Sequence, residues 1–309
     1  MSSAEDRFLA TLLPSLGVAP DAVVIPPGDD CAALQWGPGR LLLLTVDQLI
    51  GDRHFLRAGP GAATPEQAGR KLLARNLSDI AAMGGKPLFA LLAVALGPLE
   101  NATWLERFHH GLLELARETG VALIGGDLAR ARQDLVTSLT LLGEAPADRV
   151  LRRAGARPGD RFYATGEFGQ SFPTGHHLLF TPRLKEGAWL AEQRLARAMM
   201  DVSDGLALDA ARLCRAGGVV LRLDLRAIPA RTPQTTLEQA LGDGEDYELI
   251  FAVAPEDAPR LEAAWPFPET RLTRLGEFTA PAAPDAAPLA DLQGNALPER
   301  LLAGFDHLG

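Results

Sequence analysis

The stretch "TPEQAGRKLLARNLSDIAAMGGKPLFALLAVAL", residues 64–96, holds the two patterns from which the fold class is read. Thr64-Pro65-Glu66-Gln67 is a capping box with proline at the first helical position, and Ala68, Leu72, Leu73, Leu77 and Ile80 follow at helical spacing. Gly84-Gly85 stops that helix, and the apolar run 88–96 reads as a strand. The same alternation recurs outward from it. Asn101 caps a second helix with Leu105, Phe108, Leu112 and Leu115 on one face, ended by Gly120, while 40–46, 121–126, 135–143, 161–166, 219–225 and 247–253 are strand-like. The chain is a mixed α and β protein. Pro, Gly and charge cluster between two strand-like runs at 144–160, which sets an expected division into residues 1–147 and 148–309.

At 309 residues and 47% hydrophobic, the chain is long enough for two modest cores. Its 30 basic and 39 acidic residues leave a net charge of −9, with no block of Lys or Arg, so neither a nucleic acid nor a membrane surface is expected as a partner. A polyanionic substrate would need metal ions or a few placed basic groups. The longest apolar run, 88–96, is about half of the roughly 20 residues that span a bilayer, and "MSSAEDRF" lacks the regions of a signal peptide. A cytoplasmic location is expected. Cys31 and Cys214 form no CxxC pair, which argues against a disulfide framework or a zinc site, and both read as small buried hydrophobes.

Six stretches place acidic residues beside Gly or small polar residues, each next to an apolar run. They are "PGDDCA" with Asp29 and Asp30, "LLLTVD" ending in Asp47, "NLSD" with Asn76 and Asp79, "IGGD" ending in Asp127, "MMDVSDGLALD" with Asp201 and Asp204, and "GDGEDYE" with Asp243, Glu245 and Asp246. Carboxylates that meet in a cleft raise one another's pKa unless cations neutralise them, and Mg²⁺ suits oxygen ligands shared with substrate phosphates. Taken singly, each stretch has a plainer reading. Asp beside Gly serves a turn, Asp204 before Gly205 serves as an N-cap, and Asp209 is a solvated helix residue. His176 and His177 read as a solvated loop pair, and Tyr247 and Phe251 as alternating core residues of one strand. No GxxxxGK[ST] loop is present, nor a Gly-rich loop with protein-kinase partners.

Taken in order, "GDDCA" (28–32), "TVDQL" with "HF" at 54–55, "NLSDIAAMGGKP" (76–87), "GGD" (125–127), "RRAGARPGD" (152–160), "DVSDGL" (201–206) and "GEDYELIF" (244–251) resemble the thiamine-monophosphate kinases. That family lies in an ATP-binding superfamily that also includes aminoimidazole ribonucleotide synthetase and selenophosphate synthetase. The resemblance implies an α/β fold of the α+β type in two domains. The amino-terminal one would bind ATP and form a barrel across a homodimer, and the carboxy-terminal one would complete the substrate cleft. It implies ATP-dependent phosphorylation of thiamine monophosphate to thiamine diphosphate. Asp30, Thr45, Asp47, Asp79, Asp127, Asp201 and Asp204 would hold several Mg²⁺ ions, with Asp47, Asp79 and Asp127 central to catalysis. Gly126, Asp127, Arg153 and Ser203 would contact ATP, and His54, Glu245 and Phe305 the substrate.

The acceptor this resemblance implies would be a phosphate oxygen, already largely ionised near neutral pH because a phosphate monoester's second pKa is about 6. The task is positioning and charge neutralisation, with no side-chain base required. The chain departs from the family at Val46, where a hydroxyl is usual, at Gln48, at "GGDLA", at Asp243 in "DGED", and across a shortened 166–187. The last departure motivates a sister ATP-dependent activity on another phosphorylated substrate. Val46 and the altered loops motivate a catalytically silent nucleotide-binding protein.

Overall fold

Thr64 makes the expected capping box with Gln67, and helix α2 (Pro65–Ala82) runs from it to a left-handed Gly84. In this computed structural model, which describes residues 4–17, 19–283, 286–302 and 304–305, most of α2 is buried. Helix α3 (Ala102–Thr119), capped by Asn101 and ended by a left-handed Gly120, lies against it. Two glycines permit that approach: a Cβ on Gly69 would sit 1.9 Å from the Phe108 carbonyl oxygen, and one on Gly111 2.0 Å from that of Glu66.

Both helices pack on a six-stranded sheet. Its strands are β1 (Val23–Ile25), β2 (Ala32–Gln35), β3 (Arg40–Ile50), β4 (Lys86–Leu96), β5 (Ala122–Arg130) and β6 (Val136–Pro146), in the order β1-β2-β3-β6-β4-β5. Every pairing is antiparallel except β4 with β5. The sheet is open, with β5 at a free edge, so one chain forms no closed barrel.

The second sheet has the order β12-β9-β11-β7-β10-β8. Its strands are β7 (Arg161–Thr165), β8 (Ala196–Asp201), β9 (Val220–Leu223), β10 (Leu249–Val253), β11 (Leu272–Thr279) and β12 (Leu289–Asp291). Helix α6 (Leu206–Gly217) packs in its core with Phe162, Met200 and Phe278. Helix α5 (Leu184–Glu192) packs between this half and α2. Short helix α4 (His176–Leu179) also docks on α2, so Leu178 and Phe180 join the first core. Helix α1 (Ala4–Ser15) carries no buried residue.

Candidate functional site

Three carboxylates from three separate elements meet. Asp30 precedes β2, Asp79 lies in the last turns of α2 and Asp201 ends β8, and one oxygen from each falls within 4.8 Å of the others. The Thr45 hydroxyl on β3 donates to Asp79 Oδ2 at 2.5 Å, and the Ser78 hydroxyl donates to Asp201 Oδ2 at 2.6 Å. Arg153 donates to Asp30 Oδ1 from Nη2 at 2.6 Å and Nε at 3.1 Å. Burial, then mutual repulsion, pushes the Asp79 and Asp201 carboxyls well above the usual range, and burial raises Asp30 as well. Asp30 Oδ2 is buried with no hydrogen-bond partner among the described residues. An all-oxygen donor set with one orphaned buried carboxylate oxygen fits a hard divalent cation.

Asp47, Asp79, Asp201 and Asp204 open onto a cleft of about 640 Å³, together with Arg153, Ser203 and Arg212. Helix α1 walls its other side through Asp6, Leu9 and Leu13. Asp204 is not an N-cap: Gly205 takes that position, and the Asp204 carboxylate accepts from Arg212 Nη1 at 2.5 Å. Asp209, expected to be solvated, is fully buried. Its Oδ2 accepts the backbone N–H of Ser203 and of Asp204, each at 3.0 Å, and its Oδ1 accepts from Arg212 at 2.8 Å. An acidic residue in the first turn of α6 thus shapes the loop before it, through helix periodicity that charge alone does not reveal.

Val46 and Gln48 occupy the exposed face of β3, opposite Thr45 and Asp47, because side chains alternate along a strand. In this chain neither departure points into the acidic cleft.

A second, smaller cavity adjoins the first and shares Arg75, Ser203, Asp204 and Tyr247 with it. His54, Glu245 and Phe305, the three expected substrate residues, all line it. His54 Nδ1 accepts the Ile50 N–H at 2.9 Å. Phe305 donates its N–H to the Asp204 carbonyl at 2.9 Å and receives Arg53 over its ring at 5.8 Å. Beneath lies a buried group that sequence reasoning missed. Lys71 on α2 pairs with the Glu245 carboxylate, donates to the His54 carbonyl at 2.6 Å and meets His177 Nδ1 at 2.8 Å. Burial lowers Lys71 to about 8, against the opposing pull of Glu245. Burial alone would raise Glu245, but the His177 hydrogen bond and the charges of Lys71 and Arg75 hold it at about 2.

His177 is therefore no solvated loop residue: it is buried and stacked on Phe172 at 3.9 Å. His176 is half-buried, with Nε2 3.1 Å from the Asp246 carbonyl. The run expected as a strand from 247 begins only at Leu249, because Gly244, Glu245 and Tyr247 adopt left-handed backbone angles. Their N–H groups are still used: Glu245 donates to the Ser203 carbonyl at 2.7 Å and Tyr247 to that of Val202 at 2.8 Å. Tyr247 packs on Phe180, with ring centroids 4.1 Å apart, but reaches both cavities.

Within one chain, Gly126 and Asp127 stand apart from the other acidic stretches. In register, Asp47 pairs with Leu139, Leu139 with Leu92, and Leu92 with Gly126. That places Gly126 three strands from Asp47, about 14 Å at the usual strand spacing. The two residues line a different cleft of about 500 Å³, with Leu92, Val94, Leu105 and His109. Around it Ile124 (59% exposed) and Leu128 (60%) leave β5 uncovered.

Residues 28–145 match the family model for AIR synthase related protein, N-terminal domain, and residues 156–285 match that for the C-terminal domain. The thiamine-monophosphate kinase of Rhodopirellula baltica is 36% identical over 290 residues, covering 88% of this chain and 89% of that protein. That of Escherichia coli K12 is 34% identical over 280 residues, covering 82% and 83%. Among solved structures, AaThiL complexed with AMPPCP and TMP superposes with a TM-score of 0.81 at 26% identity, covering 99% of this chain and 97% of that one. Thiamine-monophosphate kinase from Stenotrophomonas maltophilia K279a gives a TM-score of 0.73 at 29% identity, covering 96% and 99%. On this combined similarity, carried across both halves, the chain belongs to the thiamine-monophosphate kinase family of ATP-dependent phosphotransferases, with the AIR synthase-related fold.

Proposed function

We propose that this chain phosphorylates thiamine monophosphate to thiamine diphosphate by direct in-line transfer from ATP. The observation that carries this reading is the continuity of the acidic cleft with the smaller cavity of His54, Glu245 and Phe305, through shared walls at Arg75, Ser203, Asp204 and Tyr247. A likeness over nearly the whole chain to a structure holding AMPPCP and TMP supports it.

Asp30, Asp79 and Asp201, with Thr45, Asp47 and Asp204 beside them, would hold Mg²⁺, which supplies charge neutralisation between the donor and acceptor phosphates. The protein's own groups do the positioning. Arg153 and Ser203 face the nucleotide side, and Phe305 and His54 form the acceptor wall. The buried Lys71–Glu245–His177 group holds Glu245 ionised and fixed, so that the acceptor meets a preset surface. No residue has to remove a proton, because the acceptor phosphate is already largely ionised above about pH 6.

Two domains, 1–147 and 148–309, are part of this reading, supported by one sheet on either side of that point. So is a homodimer: the free edge of β5 and its exposed Ile124 and Leu128 suit a second copy, in which Gly126 and Asp127 would serve phosphates across the interface. None of the described helices is long and apolar enough to cross a membrane, and we propose that the protein works in the cytoplasm.

The test is product analysis with ATP, Mg²⁺ and thiamine monophosphate, beside free thiamine. Thiamine diphosphate from the monophosphate alone, abolished by Asp47→Asn, is the expected result. Tight Mg-ATP binding without that product would overturn the choice of acceptor.

A further inference from the structure

The geometry points to a phosphate cradle formed by the Arg75 guanidinium and the Tyr247 hydroxyl, where the acidic cleft meets the smaller cavity. Its ligand is the phosphoryl group of the acceptor, so the inference rests on the assignment of the two cavities made above. Both residues line both cavities, and both are at least nine-tenths buried.

The donors of Arg75 are only partly used. Nη1 donates to the Gln48 carbonyl at 3.0 Å, and Nη2 reaches Asp47 Oδ1 only at 3.4 Å. Nε is buried and meets no acceptor among the described residues. The Nε and Nη2 edge of a guanidinium is one that grips a phosphate or carboxylate with two parallel hydrogen bonds. An arginine wanted only to pair Asp47 would close that fork on the carboxylate. Here Nε is left unpaired, on a residue that lines both cavities. The Tyr247 hydroxyl is likewise buried with no partner among the described residues, and burial keeps it protonated, hence able to donate.

Three of the neighbouring cations are held in ion pairs, while Arg53 on the wall of the smaller cavity lies over the Phe305 ring. Arg153 is bound to Asp30, Arg212 to Asp6, Asp204 and Asp209, and Lys71 to Glu245. Arg75 lies one helical turn before Asp79 on α2, so its charge is delivered by the same rigid element that carries the acidic cluster.

The experiment compares equilibrium binding of thiamine monophosphate and of thiamine to the full-length protein, without nucleotide or Mg²⁺, for wild type, Arg75→Met, Arg75→Lys and Tyr247→Phe. The cradle predicts that Arg75→Met lowers the preference for the monophosphate over thiamine at least tenfold while thiamine affinity holds. Tyr247→Phe lowers it several-fold, and added guanidinium partly restores Arg75→Met. An unchanged preference, or an equal loss for both ligands, overturns the cradle. Should Arg75→Met not fold, Arg75→Lys and Tyr247→Phe decide by the same ratio. Should wild type make no thiamine diphosphate, the functional reading fails separately, and binding of inorganic phosphate to wild type and Arg75→Met then decides on the cradle.

Discussion

Lys71 and Glu245, which are 174 positions apart in sequence, form an ion pair whose ammonium group is wholly buried and whose carboxylate lines the smaller cavity. Removing one partner of such a pair leaves a buried charge uncompensated, at a cost of about 3–5 kcal/mol. Lys71→Met is expected to destabilise by that order, and the double variant Lys71→Met/Glu245→Gln to regain at least half of it. Urea unfolding of the four proteins measures the cycle. A Lys71→Met loss below about 1 kcal/mol would sink the assignment.

The same pair sets a pH dependence. Glu245 titrates near 2 in the folded protein, below its ordinary 4.5, so it contributes stability above pH 4.5 that is lost as pH falls toward 2. The loss is on the order of 3 kcal/mol. Lys71, lowered from 10.5 to about 8, acts at the other end: its contribution improves as pH rises from 8 to 10.5. Unfolding free energies from pH 2 to 6 should show a flatter slope for Glu245→Gln than for wild type, and parallel slopes would refute the assignment.

Asp79→Asn and Asp201→Asn relieve repulsion in a cluster whose oxygens lie within 4.8 Å of one another. Metal-free protein should melt at the same temperature as wild type or slightly higher, within about 1 kcal/mol, while the rise in Tm on adding Mg-ATP disappears. A lowered metal-free Tm with the Mg-ATP rise intact would contradict the reading of these residues as cation ligands.

Asp209 touches neither cavity, yet it fixes the Ser203 and Asp204 backbone. Asp209→Ala strands two N–H groups and frees one side of Arg212, so a stability loss of about 2–4 kcal/mol is expected. A fall of at least tenfold in kcat/KM at temperatures where the variant remains folded should accompany it. Full activity in a folded variant would show that the loop holds its shape without this anchor.

The uncovered edge of β5 yields the last prediction. The homodimer proposed above predicts that Ile124→Lys with Leu128→Lys shifts sedimentation from dimer to monomer and removes activity, through loss of the cross-chain role proposed for Asp127. Wild type sedimenting as a monomer with full activity would refute it.

Much of this was legible locally. Helices α2 and α3 announce themselves by caps and spacing, and β3, β4 and β6 by long apolar runs, because those signals lie within one turn or one strand. The convergence of Asp30, Asp79 and Asp201 is not local: it arises where the ends of two sheets meet one helix, and only the ordered resemblance anticipated it. Asp209 and His177 were misjudged because polarity suggests exposure, whereas each is buried with hydrogen-bond partners in place. Asp127 was grouped with the others by motif, but the strand register separates it within one chain.

Lys71, Arg75 and Asp79 stand at positions i, i+4 and i+8 of α2, a span of about 12 Å along its axis. The helix therefore acts as a ruler laid between the smaller cavity and the acidic cluster, graduated by its own pitch. Fixed by buried walls and by Gly69 and Gly111, it cannot slide. Inserting a single residue between Lys71 and Asp79 would swing one mark by about 100° against the other, so the separation of the smaller cavity from the acidic cluster is a property of helix geometry that no side-chain substitution at the ends could restore.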